Sequence, residues 1–97
     1  MERITPDMDY VRRILRELLA IPSPAGFTDE AVRFTCEELE RLGISYEMTR
    51  RGAIRADLSG EIYSPDRSIV VHLDTLGARV MELGDDGRGA LGPVGAW

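Results

Sequence analysis

The chain has 97 residues, with seventeen acidic side chains against twelve basic ones and a formal net charge of −5. This balance argues against nucleic-acid binding, because phosphate backbones require a basic stripe that the sequence lacks. All twelve basic residues are arginine, which excludes a lysine nucleophile or a lysine Schiff base. Hydrophobic residues make up 43% and charged residues 30%, as in a globular domain rather than a disordered segment.

Two amphipathic helices are predicted in the first half of the chain. From Asp7 to Ala20 the apolar residues recur every three or four positions, and charged residues occupy the other face. Thr5 is expected to cap this helix, and Pro22 to end it, because proline disfavours helical backbone in the residue before it. A second helix is expected to begin after Thr28 and to end at Gly43.

After the second helix the sequence changes to a two-residue period, which predicts strands. The predicted strands cover residues 44–49, 53–58, 78–83 and 88–91. The last two form a hairpin around Asp85-Asp86-Gly87, and Ser64-Pro65-Asp66 marks another turn. Residues 68–73 are a β-branched run without alternation, which predicts a strand buried on both faces. Helices followed by strands, one of them fully apolar, indicate an α/β sandwich.

The single cysteine, Cys36, excludes an intrachain disulfide and fits a reducing compartment. No signal peptide is predicted, and the apolar runs are too short to cross a bilayer. We therefore expect a cytoplasmic protein that does not associate with membranes. The helical period places Cys36 on an apolar face, where a thiol is inert. Ser23 is not predicted to be a nucleophile, because no Gly-x-Ser-x-Gly surrounds it.

The residues with the clearest chemical potential are His72 and Asp74. His72 is the only histidine, and it lies at the carboxyl end of the apolar run, where ligand sites of α/β sheets are found. Imidazole is a frequent metal ligand, and residues i and i+2 share one face of a strand, so Asp74 could orient the His72 ring. The pattern alone leaves open a structural histidine and a turn or helix-cap carboxylate.

Taken in order, several motifs resemble the beginning of a peptidase family. They are Ile21-Pro22-Ser23-Pro24-Ala25-Gly26, His72-Leu73-Asp74-Thr75-Leu76-Gly77, Gly84-Asp85-Asp86-Gly87 and Pro93-Val94-Gly95-Ala96-Trp97. In these motifs the chain resembles the tetrahedral (TET-type) dinuclear metallo-aminopeptidases, also called the glutamyl-aminopeptidase or deblocking-aminopeptidase family. The residues of these motifs are most similar to those of the subgroup associated with bacterial osmoprotectant dipeptide gene clusters.

The resemblance implies an α/β catalytic domain that is interrupted early by a smaller β-rich domain. Residues 1–76 would be the N-terminal portion of a zinc-peptidase-like α/β sandwich, and residues 77–97 the incomplete start of the inserted domain. Two divalent metal ions, zinc or cobalt, would activate a water for attack on a short peptide substrate, in a homo-oligomer. His72 would be a ligand of one metal, and Asp74 the catalytic carboxylate that orients its imidazole.

The other ligands of that family have no counterpart in the sequence, and one imidazole with one carboxylate cannot hold two dications. We therefore expect the chain to be an inactive N-terminal fragment that binds no metal stably by itself. Two alternatives stay open. One is the related family of metal-dependent N-acyl amino acid deacylases and carboxypeptidases, which shares the His-x-Asp strand. The other is a small α/β interaction module without a metal.

Overall fold

The computed structural model describes residues 3–62 and 67–95. It has two helices, followed by two separate antiparallel strand pairs. The elements are α1 (Met8–Leu19), α2 (Asp29–Arg41), β1 (Tyr46–Met48), β2 (Ile54–Ala56), β3 (Gly77–Leu83) and β4 (Gly89–Val94). The expected mixed α/β structure, helices first, is confirmed. The turn predicted at residues 64–66 lies outside the described residues.

Helix α1 begins later than its predicted cap. The carboxylate of Asp7 accepts hydrogen bonds from the backbone N–H groups of Asp9 and Tyr10, both at 3.1 Å. The cap of α1 is therefore Asp7, and the expectation of Thr5 was wrong. A charged carboxylate next to the first turn also interacts favourably with the helix dipole. The predicted end is confirmed, because α1 stops before Ala20.

Helices α1 and α2 are joined by a cluster of polar side chains around Glu38. The Tyr10 hydroxyl donates to Glu38 Oε1 at 2.7 Å, and the Arg41 guanidinium donates to the same carboxylate. Arg13 lies 3.9 Å from Glu38, and the Arg13 and Arg41 guanidinium carbons lie 5.3 and 5.9 Å from the Tyr10 ring centre. Hydrogen bonds from Arg41 and Tyr10 lower the pKa of Glu38 to about 2, and the bond to Glu38 raises the pKa of Tyr10.

Acid is expected to weaken the contact between the two helices. The pKa of Glu38 falls from an ordinary value of 4.5 to about 2 on folding, so its stabilisation is complete above pH 4.5 and is lost as the pH falls towards 2. Urea titrations at pH 6, 4 and 2.5 would compare the wild type with Glu38→Gln, whose side chain does not titrate. The difference in unfolding free energy between the two proteins should shrink at each step. A constant difference would show that the ionised carboxylate contributes nothing.

The two strand pairs are hairpins with glycine in their turns. Strands β1 and β2 pair antiparallel with Glu47 opposite Arg55, and strands β3 and β4 with Gly77 opposite Val94. Gly87, with φ +80°, completes the turn between β3 and β4, where the Gly84 amide donates to the Arg88 carbonyl at 2.7 Å. The four strands predicted over residues 44–49, 53–58, 78–83 and 88–91 and the turn around Asp85-Asp86-Gly87 are confirmed, with shifts of up to three residues at strand ends.

The buried strand predicted over residues 68–73 is wrong. Ile69, Val70 and Val71 are 92, 90 and 79% exposed, and within residues 3–62 and 67–95 no strand pairs with this run. A β-branched apolar sequence favours extended backbone, but a strand also needs a neighbour for its N–H and C=O groups. Here the described residues supply no such neighbour, so the run lies open.

The apolar core of the described chain is small. Only Ala31 and Cys36 are buried apolar residues, which confirms the inward-facing cysteine, while the predicted apolar face of α1 is half-buried or exposed. The radius of gyration is 18.1 Å, against about 13 Å for a compact domain of 100 residues. Neither α1 nor α2 has the length and apolar content needed to cross a membrane.

Candidate functional site

The residues of the segment that carries His72 and Asp74 alternate in exposure. His72, Asp74 and Leu76 are exposed, whereas Leu73, Thr75 and Gly77 are half-buried. This is the two-residue period of a strand with one covered face. His72 and Asp74 therefore share the open face, as their spacing in the sequence predicted.

The covered face rests on the connector between the two helices. The Thr75 amide donates to the Ser23 carbonyl at 2.8 Å, and Pro24 and Thr75 form a parallel β-bridge. Ser23 is 1% exposed, and its hydroxyl donates to the Leu73 carbonyl at 3.0 Å. It also lies 3.4 Å from the Thr75 hydroxyl. A connector of Pro-Ser-Pro sequence thus docks against the peptide units on either side of Asp74.

Among the described residues, Asp74 is the hydrogen-bond partner of the His72 imidazole. Its Nδ1 lies 3.1 Å from the Asp74 carboxylate oxygen Oδ1 and 3.0 Å from the Asp74 backbone carbonyl oxygen. A carbonyl oxygen can only accept a hydrogen bond, so Nδ1 carries the hydrogen. In the neutral ring the lone pair then lies on Nε2. The side chains of His72 and Asp74 are 84 and 51% exposed, which leaves this nitrogen accessible to a ligand.

Among the described residues, no further metal-binding side chain joins this pair. In the part of the chain that the structure describes, no three His, Cys, Asp or Glu residues come close enough to hold a metal ion. Cys36, the other soft donor, is buried in α2. The structure therefore brings together the two predicted site residues, His72 and Asp74, and adds no third donor to them.

Sequence reasoning missed Ser23 as a neighbour that supports this site. It was considered only as a nucleophile, whereas the structure shows it as a buried hydrogen-bond donor to the segment that carries His72. The available signal was its context: a small polar residue between two prolines in a stiff connector. Such a residue is poorly placed to be solvated, and buried hydroxyls need a partner.

No family model matches the chain. A curated protein of Bacillus subtilis (strain 168), named "Putative aminopeptidase YhfE", is 33% identical over 84 residues. The match covers 87% of this chain and 24% of that protein, so the chain spans about a quarter of its relative's length. The name is that of the relative, and it distinguishes no subgroup of aminopeptidases.

The docking of the His72 segment on the connector depends on a glycine. A Cβ at Gly77 would lie 2.8 Å from Pro24 Cβ, a contact with a rigid ring that cannot move aside alone. We expect Gly77→Ala to separate Pro24 from the strand at a cost of about 1–3 kcal/mol. Hydrogen exchange of the Thr75 amide should accelerate accordingly. Gly60→Ala is the control, because its Cβ would meet nothing closer than 3.9 Å. Equal exchange rates in both variants would contradict this prediction.

Proposed function

We propose that this chain is the first part of a metal-dependent aminopeptidase, to which it contributes His72 as a metal ligand and Asp74 as the carboxylate that orients it. One observation carries the proposal. The Nδ1 of His72 faces two oxygen acceptors of Asp74. The Nε2 lone pair of the neutral ring is then free for a ligand, because the side chain is exposed. This arrangement is typical of metal-binding histidines, whose second nitrogen is held by a carboxylate or a carbonyl.

The residues present fit one ligand position of a metal centre and no more. A catalytic zinc site takes about three protein ligands, and the described residues offer one beside Asp74. The metal would activate a water molecule for attack on the substrate carbonyl. The role of this chain is narrower: Asp74 accepts the hydrogen bond from Nδ1–H and fixes the ring orientation, so that in the neutral ring the lone pair lies on Nε2. The remaining ligands would come from residues beyond the matched quarter of the relative.

The resemblance to the TET-type family gives the finer form of the proposal. The complete enzyme would hold two zinc or cobalt ions, act on short peptides and assemble as a homo-oligomer in the cytoplasm. Residues 1–76 would belong to its catalytic domain and residues 77–97 to an inserted β-rich domain. The hairpin that starts at Gly77, immediately after the His72 segment, is consistent with this division.

The 97-residue chain alone is proposed to be inactive and to bind no metal stably. Support comes from the small core, the open run at residues 69–71 and the partial length of the match. The same observations favour a fragment over a complete α/β interaction module, which would bury its apolar residues. The related N-acyl amino acid deacylases and carboxypeptidases stay an alternative within the same chemistry, since they share the His-x-Asp strand.

The test uses the gene product translated to its own stop codon, purified beside the 97-residue chain. We expect divalent metal in the full product, hydrolysis of aminoacyl p-nitroanilides and loss of that activity on chelation. The 97-residue chain should hydrolyse nothing. Cleavage of N-acyl amino acids instead of substrates with free amino termini would select the deacylase alternative. A full product without metal and without chelator-sensitive hydrolysis would rule out both.

A further inference from the structure

Ser23 is the one fully buried polar residue among those described, and it contacts the site without belonging to it. Its hydroxyl donates to the carbonyl of Leu73, the residue between His72 and Asp74. The Ser23 carbonyl accepts a hydrogen bond from the amide of Thr75, the residue that follows Asp74. Ser23 thus holds the His72 segment at two points that flank Asp74, from the side opposite the two site residues.

These contacts set the register of the His72 segment against the connector. Because successive side chains of a strand point to opposite faces, a slip of one residue would move His72 and Asp74 from the open face to the covered one. The observed register places both on the open face, with Leu73 and Thr75 towards the connector. The buried hydroxyl can be satisfied by the Leu73 carbonyl only in this register, and an unsatisfied buried hydroxyl is costly.

We propose that Ser23 is a positioning residue for the His72–Asp74 pair. By fixing the peptide units of Leu73 and Thr75, it keeps the Asp74 carboxylate and carbonyl within hydrogen-bond distance of Nδ1. The hydrogen then stays on Nδ1, and Nε2 stays the nitrogen that is able to bind a ligand. The importance of this arrangement for catalysis rests on the proposed function, whereas the arrangement itself is independent of it.

The hydrogen position on His72 can be measured directly, because the chain has only one histidine. Nitrogen-15 NMR of the imidazole would be recorded for the 97-residue chain at about pH 9, where imidazole side chains are neutral. The wild type is expected to show the Nδ1–H tautomer. In Ser23→Ala the ratio of the two tautomers should shift towards Nε2–H by about tenfold, the size of one hydrogen bond to a charged group.

The matched control is Thr35→Val. Thr35 Oγ1 also donates to a backbone carbonyl, that of Ala31 at 2.8 Å, but it lies inside α2. This variant removes a hydroxyl of the same kind and should leave the tautomer ratio of His72 unchanged. Circular dichroism should report the same helix content in the wild type and both variants.

Three results would overturn the proposal. The first is a wild-type ring with the mixed tautomers of an imidazole free in water. The second is a Ser23→Ala variant with intact helices and an unchanged tautomer. The third is loss of helix content in Ser23→Ala, which would make Ser23 a residue of the whole fold. In the full-length product, Ser23→Ala should lower kcat about tenfold with little change in KM. A shifted tautomer in a product without peptidase activity would refute the proposed function and leave the positioning role intact.

Discussion

Replacing His72 with alanine is expected to remove the chelator-sensitive peptidase activity of the full-length gene product. The exposed Nε2 of this ring is the nitrogen that the proposal assigns to the metal, and alanine offers no donor in its place. Rates should fall by more than about 100-fold, since changes to the partners of metal ligands already cost 10–100-fold. Metal content, measured by atomic emission after dialysis, should fall in parallel.

The variant Asp74→Asn tests the same site, with a smaller expected loss of activity. Its amide can still accept from Nδ1 but carries no charge, so activity should fall by about 10–100-fold rather than vanish. Asp57→Asn is the matched control, because Asp57 is an exposed carboxylate 3.5 Å from its partner Arg55 and far along the chain from His72. If all three variants kept wild-type activity, His72 and Asp74 would be structural residues and the proposed site would be wrong.

The 97-residue chain is expected to self-associate through residues 69–71. Ile69, Val70 and Val71 expose apolar side chains on a backbone that no described strand pairs, and such edges add strands from other molecules. Full burial of one such side chain contributes about 1.5–3 kcal/mol, so three outweigh the ordering of a short segment. Light scattering coupled to size exclusion should give a mass above the 10.8 kDa of one chain.

Changing these three residues to threonine should weaken association by at least about 100-fold, since threonine keeps the β-branched shape and loses most of the apolar surface. A control with threonine at Val80, Leu83 and Leu91 removes exposed apolar groups from strands that are already paired. Its mass should match that of the wild type. A monomeric wild type would instead favour the small interaction module.

The helices and hairpins were predictable because their signals are local. Apolar residues spaced for one helix face located α1 and α2, and Gly43, with φ +73°, follows α2 as the sequence predicted. The turn at Asp85-Asp86-Gly87 located the β3–β4 hairpin. The cap of α1 was less predictable, because Thr5 and Asp7 are both capping residues and only the backbone path shows which one reaches the free amides.

The site was predictable only in part, because Ser23, which supports it, is far from His72 and Asp74 in the sequence. The spacing of His72 and Asp74 placed them on one face, which the structure shows. The apolar run before them predicted a buried strand, yet burial depends on neighbours that composition does not reveal. The place of Ser23 between two prolines indicates a buried hydroxyl, but the local sequence does not identify its partner Leu73, which lies 50 residues away.

That separation has a kinetic consequence. Joining Ser23 to Thr75 closes a loop of 52 residues, for which chain entropy alone opposes closure by roughly 3.5 kcal/mol. Helices and tight hairpins form in microseconds from neighbouring residues, so they precede this contact. The His72 segment should therefore dock last during folding and detach first under mild denaturant. A His72 ring in its docked orientation would therefore indicate that the helices and hairpins of the chain have already formed.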